Sequence, residues 1–203
     1  FTTPGAAREY QRRYPDAAER IRVLENGFDE ESFANLSHDP ARESLTPGAV
    51  TLLHSGIVYP SERDPTQFFM ALAQMADAGD IRPGNLVVRF RAAGHDDLLR
   101  ALAHQYGIDP FIELSPPIPY AAALTEMHRA DALLVLQAAN CNEQIPAKLY
   151  EYLRAGRPIV TLTDPAGDTA GVVRAAGLDA IARLDDVADI IALLRPFIAS
   201  VRA

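Results

Sequence analysis

From Val50 onward the chain alternates between two kinds of block. Short, nearly continuous apolar runs fall at 50–55, 86–91, 111–114, 132–137, 158–163 and about 179–182. Between them, at 65–78, 96–106, 119–129, 146–154, 168–176 and 186–200, apolar residues recur every three or four positions. The first pattern predicts buried strands and the second amphipathic helices. Phe68, Phe69, Leu72 and Met75 share one face of helix 65–78. Leu98, Leu99, Leu102 and Tyr106 do so in helix 96–106, and Leu149, Tyr152 and Leu153 in helix 146–154. The punctuation agrees: Asp64 and Asp168 read as N-caps, Pro146 as a first helical residue, and Gly107, Gly156 and Gly177 as C-caps. Strands alternating with helices in this way predict an α/β fold, a single doubly wound, Rossmann-like parallel sheet covered on both faces.

The segment before Val50 is different. Residues 5–15 read as a short polar helix closed by Pro15, and 20–25 alternate with period two, like a half-exposed strand. Asn26-Gly27 is a turn signal, and 37–48 form a polar linker without periodicity. Phe1-Thr-Thr-Pro4 reads as the end of a strand, so the chain is expected to be a piece of a longer protein.

Composition narrows the partners. Net charge is −8 and the chain has no basic run, which argues against nucleic acid. No apolar run approaches the ~18 residues of a membrane span. The single Cys141 excludes an internal disulfide and a Cys-based zinc site, so a cytoplasmic protein is expected. The five histidines (38, 54, 95, 104, 128) lack metal-ligand spacing, and there is no Asp-x-Asp pair; no metal or other cofactor is expected.

The candidate chemistry centres on Asn140–Pro158, NCNEQIPAKLYEYLRAGRP, between two predicted strands. In an open parallel sheet, ligands bind at the carboxyl ends of the strands. A helix N-terminus there suits phosphate, with the amides of Gln144, Ile145 and Ala147 as candidate donors. Glu143 and Glu151 are acceptor-only when ionised and suit sugar hydroxyls. A phosphate cradle beside hydroxyl acceptors describes a nucleotide-sugar. Alternatively, Glu143 is a loop charge and Glu151 pairs with Lys148 on a solvated helix face. Lys148 is a candidate contact to donor phosphate or sugar, and Asn140 and Asn142 to hydroxyls. Gly56 after the first strand permits close backbone approach to a phosphate. Arg63 and Arg91 are candidate phosphate ligands, each with a structural alternative.

The run resembles the E-x7-E segment of GT-B glycosyltransferases of the retaining family-4 type, in Glu143, Glu151 and the following Ala155-Gly156-Arg157-Pro158-Ile159-Val160. Asn26-Gly27-Phe28-Asp29 is similar to that family's interdomain connector. The resemblance implies that Glu143 contacts the donor sugar and takes the catalytic role, that Glu151 holds the ribose, and that the loop 114–120 with Pro117 lies against the base. It also implies binding without a metal. The family's usual Gly-Arg is here Gly56-Ile57, and Arg63 stands about where a lysine is usual. On this reading, 1–36 are the remnant of an N-terminal half plus the connector, and 37–203 the donor-binding domain. The implied activity is transfer of a sugar from a nucleotide diphosphate to an acceptor hydroxyl, usually with retention, in glycan or polysaccharide biosynthesis. The missing half would supply the acceptor site, and any peripheral membrane contact would run through it. A GT-B-like nucleotide-sugar epimerase and a non-catalytic nucleotide-binding module remain as alternatives.

Overall fold

The structure, a computed structural model, describes residues 1–34 and 44–201. The predicted linker lies largely outside these residues, as do the boundary between 36 and 37 and His38.

Six strands form one parallel sheet: β1 (Val50–Ser55), β2 (Leu86–Arg91), β3 (Ile112–Ser115), β4 (Ala132–Gln137), β5 (Ile159–Thr163) and β6 (Ile181–Ala182). Their order is β3-β2-β1-β4-β5-β6, so the winding reverses between β1 and β4. After β1 come α3 (Thr66–Asp77), α4 (Asp96–Gln105), α5 (Tyr120–Arg129), α6 (Lys148–Ala155), α7 (Asp168–Ala175) and α8 (Val187–Val201). Every strand and helix expected from Val50 onward is present, within two residues at each end.

Because strand side chains alternate in direction, the sheet feeds two cores. Leu52, Phe90, Leu134 and Leu162 face α3, α4 and α8. Leu53, Leu133, Val135 and Ile159 face α5, α6 and α7. The first core holds Phe68, Phe69, Leu72 and Met75 of α3, as their spacing predicts. On α4 the buried stripe is Leu99 and Ala103, and Leu98 turns outward.

Several caps differ from expectation. Gly167 is the N-cap of α7, which frees the Asp168 carboxylate for other partners. Helix α6 begins two residues after Pro146, and Gly156 closes it at φ +66 as predicted. Asp64 accepts the Thr66 N–H from outside α3, and Asp186 accepts the N–H groups of Ala188 and Asp189 in α8.

The N-terminal segment departs furthest. Helix α1 (Pro4–Arg13) is present, but residues 1–3 are no strand end: Thr3 caps the helix. Pro15–Arg20 form a 3₁₀ turn and 21–29 are irregular, so neither the strand at 20–25 nor the Asn26-Gly27 turn forms. The period-two pattern has no sheet edge to join; Leu24 N–H instead donates to the Phe1 carbonyl, and the Phe1 amine to Arg22. Asp29 then starts the short α2 (Glu30–Ala34), which buries Phe33 in the second core.

The sheet should dominate stability. Leu134→Ala removes a fully buried side chain from a central strand and is expected to cost about 2–5 kcal/mol in urea unfolding. Leu98→Ala on the exposed face of α4 is expected to stay within about 0.5 kcal/mol of wild type.

Candidate functional site

At the reversal point β1 and β4 pair only through Leu52↔Ala132 and Leu53↔Leu133. Beyond that, β1 continues with β2 to Ser55↔Arg91 and β4 with β5 to Gln137↔Thr163. His54 fills the fork and is fully buried. Its Nδ1 lies 3.0 Å from the Leu134 carbonyl. A carbonyl only accepts, so Nδ1 carries the proton and Nε2 presents a lone pair. Lys148 Nζ, from the start of α6, sits 2.9 Å from that nitrogen.

Both groups are held toward their neutral forms. Burial, then the Lys148 charge, pushes the imidazole well below the usual histidine range. Burial, then the Arg63 charge, pushes the amine well below the ordinary lysine value, and Glu151 opposes this only in part. Among the described residues no carboxylate lies within 4.0 Å of the amine.

The loop after β1 completes this corner. Gly56 has φ +108, a backbone conformation that favours glycine, and an added Cβ there would lie 3.2 Å from Lys148 Nζ. Its N–H donates to the Arg91 carbonyl at 2.7 Å. Arg63 folds back to donate to the Ile57 carbonyl and lies over the Tyr59 ring at 5.1 Å. Its buried Nε has no partner among the described residues. The buried Tyr152 hydroxyl accepts the Ser55 N–H at 2.8 Å and pins the strand end. The fold therefore brings Lys148, 94 positions on in the chain, to His54 and the Gly56–Arg63 loop that follows it.

The two glutamates meet different neighbours. Glu151, half-buried on α6, accepts from the Tyr120 hydroxyl at 2.8 Å. Burial and that carboxylate push the phenol up to about 12. Glu143 is exposed and packs on α1, where its carbonyl accepts from the Thr3 hydroxyl. A Cβ on Gly5 would lie 2.9 Å from Glu143 Cα and 2.7 Å from an Asp168 oxygen, so α1 can approach only as glycine. Asp168 takes the Gly5 N–H at 2.6 Å and Arg8 at 3.3 Å. Glu143 lines a cavity of about 180 Å³ with Gly5, Arg8, Glu9 and Arg12; Glu151 is not among its lining residues.

The remaining predicted residues divide. Arg91 is engaged: it donates to Glu126 through Nε and one terminal nitrogen, and to the Pro116 carbonyl through the other. Glu126 is itself buried and also takes Arg89, so the two arginines form a closed network that fastens α5 and the loop after β3 to β2. Asn142 is likewise turned to the protein, donating to Asp164 at 2.7 Å. The Gln144 N–H is used within its turn, donating to Cys141, so it is no free phosphate donor. The N–H groups of Ile145 and Ala147 make no backbone hydrogen bond among the described residues, while the Ile145 side chain is buried. Pro117 is exposed and lines a cavity of about 440 Å³ with Gly94, His95 and Ser115. Ala92, on the same rim, holds a left-handed φ of 55. Cys141 is buried, and burial pushes its thiol up, as expected of a filler. Among the described residues no group of three or more His, Cys, Asp or Glu is placed to hold a metal ion.

Sequence reasoning missed His54, Tyr120 and the approach of Gly5 and Thr3. Nothing in a strand's spacing shows that its neighbour diverges beside one histidine. The Gly56 signal two residues on was the nearest pointer.

No family model matches the sequence, and none of the curated proteins matches it. Solved structures do match in fold. WaaG, a glycosyltransferase involved in lipopolysaccharide biosynthesis, superposes with TM-score 0.76 at 17% identity, over 100% of this chain and 54% of that one. A glycosyltransferase from Rickettsia africae gives 0.71 at 11% identity, over 100% and 53%. A UDP-forming α,α-trehalose-phosphate synthase from Burkholderia xenovorans gives 0.62 at 11% identity, over 85% and 42%. The fold is that of the C-terminal half of GT-B glycosyltransferases, and the chain spans about half the length of these structures. Among the described residues no helix is long and apolar enough to cross a membrane.

Lys148 should leave a mark on stability. Between its depressed folded value and the ordinary 10.5, the unfolded chain binds the proton and the folded chain does not. Stability therefore rises with pH across that window. Relative to Lys148→Met, the wild type should gain up to about 1.4 kcal/mol per pH unit there, read from urea midpoints between neutral pH and pH 10.

Proposed function

We propose that the chain is the donor-binding domain of a glycosyltransferase that moves a sugar from a nucleotide diphosphate to an acceptor hydroxyl. The observation that carries this reading is the corner formed by Gly56, Arg63 and Lys148 at the carboxyl ends of β1 and β4. Parallel sheets bind ligands where the strand order reverses. Arg63, a half-buried cation without a carboxylate partner among the described residues, favours an anion that supplies the missing charge. Glu151, one helical turn beyond Lys148, adds a carboxylate with one oxygen not taken by Tyr120. Phosphate ligands followed at helical distance by a hydroxyl acceptor suit a ribose diphosphate.

In the transfer, the bond from the anomeric carbon to the diphosphate oxygen breaks, and the diphosphate leaves with the electron pair. The acceptor oxygen forms the new bond and passes its proton to the departing diphosphate. Lys148 and Arg63 would stabilise the charge that develops on the leaving group, and fixed positive groups in a site of low polarity are worth more than in water. Glu143, at the loop before α6, would orient the sugar, and Pro117 with its neighbours would take the base. The acceptor site belongs to the remainder of a longer enzyme, so the chain alone is expected to bind donor without turnover.

Ligand-observed NMR of the chain against UDP, GDP, ADP and TDP and their sugars tests this. One base series is expected to bind, and Glu151→Ala to weaken it by roughly 10–100-fold, the worth of a hydrogen bond to a charged group. Glu143→Ala should weaken the nucleotide-sugar but leave the plain diphosphate near wild type. Absence of binding by all four series, or indifference to Glu151→Ala, would overturn the assignment.

A further inference from the structure

Lys148 is the chain's one lysine, against eighteen arginines. Every other cationic side chain apart from histidine is thus one that keeps its proton at any physiological pH. The one non-histidine side-chain cation able to release its proton stands at the strand fork, where its only hydrogen-bond partner among the described residues is the lone pair of His54. We propose that Lys148 and His54 form a proton-linked anion switch, in which the amine takes up a proton as a diphosphate enters between Gly56, Arg63 and Lys148. This rests on the donor-binding reading above and adds to it how occupancy depends on proton supply.

The geometry supplies both halves of the device. The Leu134 carbonyl fixes the imidazole tautomer, so Nε2 always faces the amine as an acceptor. A neutral amine satisfies that acceptor with one of its two N–H groups. The ammonium form adds a further donor, which is left for the incoming anion. Two features hold the amine toward its neutral form: burial, and the Arg63 charge from the loop after β1. The groups facing the pair from each packed element are few. Arg63 and the Ile57 carbonyl, which favours a protonated imidazole, come from the β1 loop, Glu151 and the Tyr152 hydroxyl from α6, the Leu134 carbonyl from β4, and the uncharged Phe90 ring from β2 at 5.8 Å. An arriving diphosphate outweighs this balance, because two phosphates carry more charge than Arg63 opposes. His54 is on this account a positioning residue, acting through Lys148.

The consequence follows by linkage. Above the midpoint of the free amine, each bound diphosphate draws one proton. Affinity should then fall by close to tenfold per pH unit until the midpoint of the bound amine is reached. A lone lysine makes this directly observable, since a protein labelled with ¹³Cε-lysine gives one lysine signal.

The test follows that signal from pH 6 to 11 in the full 203-residue chain, alone and with saturating UDP, GDP, ADP or TDP. The free amine is expected to titrate well below 10.5, and the bound form to titrate at a clearly higher pH. Lys148→Arg should bind with affinity varying less than about threefold between pH 7.5 and 9, because arginine has no proton to exchange. His54→Gln keeps an acceptor and should stay within about threefold of wild type, whereas His54→Phe should lose tenfold or more and shift the lysine midpoint. An ordinary midpoint in the free chain overturns the switch. So does an unmoved midpoint in the presence of a diphosphate that binds, or a pH slope retained in Lys148→Arg. These outcomes leave donor binding intact. Failure of every diphosphate to bind would instead overturn the switch and the donor-binding reading together.

Discussion

The fork between β1 and β4 is the constraint on which the rest of the molecule depends. Two central strands run side by side for two residues and then part, each completing its hydrogen bonds with its outer neighbour. Parting leaves backbone groups that a sheet would normally satisfy. Side chains take over at both ends of the short pairing: the Asp131 carboxylate accepts the Thr51 N–H, and the His54 imidazole serves the Leu134 carbonyl. A buried carbonyl without a partner would cost on the order of 1–3 kcal/mol. The ring that meets this need also presents its second nitrogen to Lys148.

The chain treats its charges in two ways. On the β2 side, Arg89 and Arg91 are closed around the buried Glu126, with Glu113 and the Pro116 carbonyl completing the set. That network ties three elements together, with the buried Arg89 Nε left without a partner among the described residues. On the α6 side, Lys148 lies close to Arg63 and has no carboxylate of its own. Balanced charge builds structure on the β2 side, whereas on the α6 side the Arg63 charge stands beside an amine that burial holds toward its neutral form. In the sequence Arg91, like Arg63, is a candidate phosphate ligand with a structural alternative; its partners are what separate it from Arg63.

Helix α1 adds a contact of a third kind. Its first turn lies against Glu143 and Asp168 through Gly5, with Thr3 bonded to the Glu143 carbonyl. The loop that carries the candidate sugar contact is therefore shaped by a segment some 140 positions earlier in the chain. Glu151, held by Tyr120, is shaped by a different helix. Two carboxylates eight residues apart thus owe their surroundings to separate elements, and their spacing alone does not describe their environment.

Hydrophobic period and cap chemistry were enough, from Val50 on, to place every strand and helix and to fix the doubly wound class. Those signals are local: a buried parallel strand is apolar throughout, and a covering helix carries a stripe. Local signals also marked the rim of the sheet, through Gly56 and the Glu143–Glu151 run. They misread 20–25, where alternation had no sheet edge to pair with. They could not tell a committed arginine from an available one, nor find the histidine behind the lysine. Desolvation and charge balance depend on which residues the winding brings together, and the strands that meet at the fork, β1 and β4, are some 80 residues apart. The order of residues determined the architecture; the meeting of His54, Lys148, Arg63 and Gly56 was decided only when the sheet closed around them.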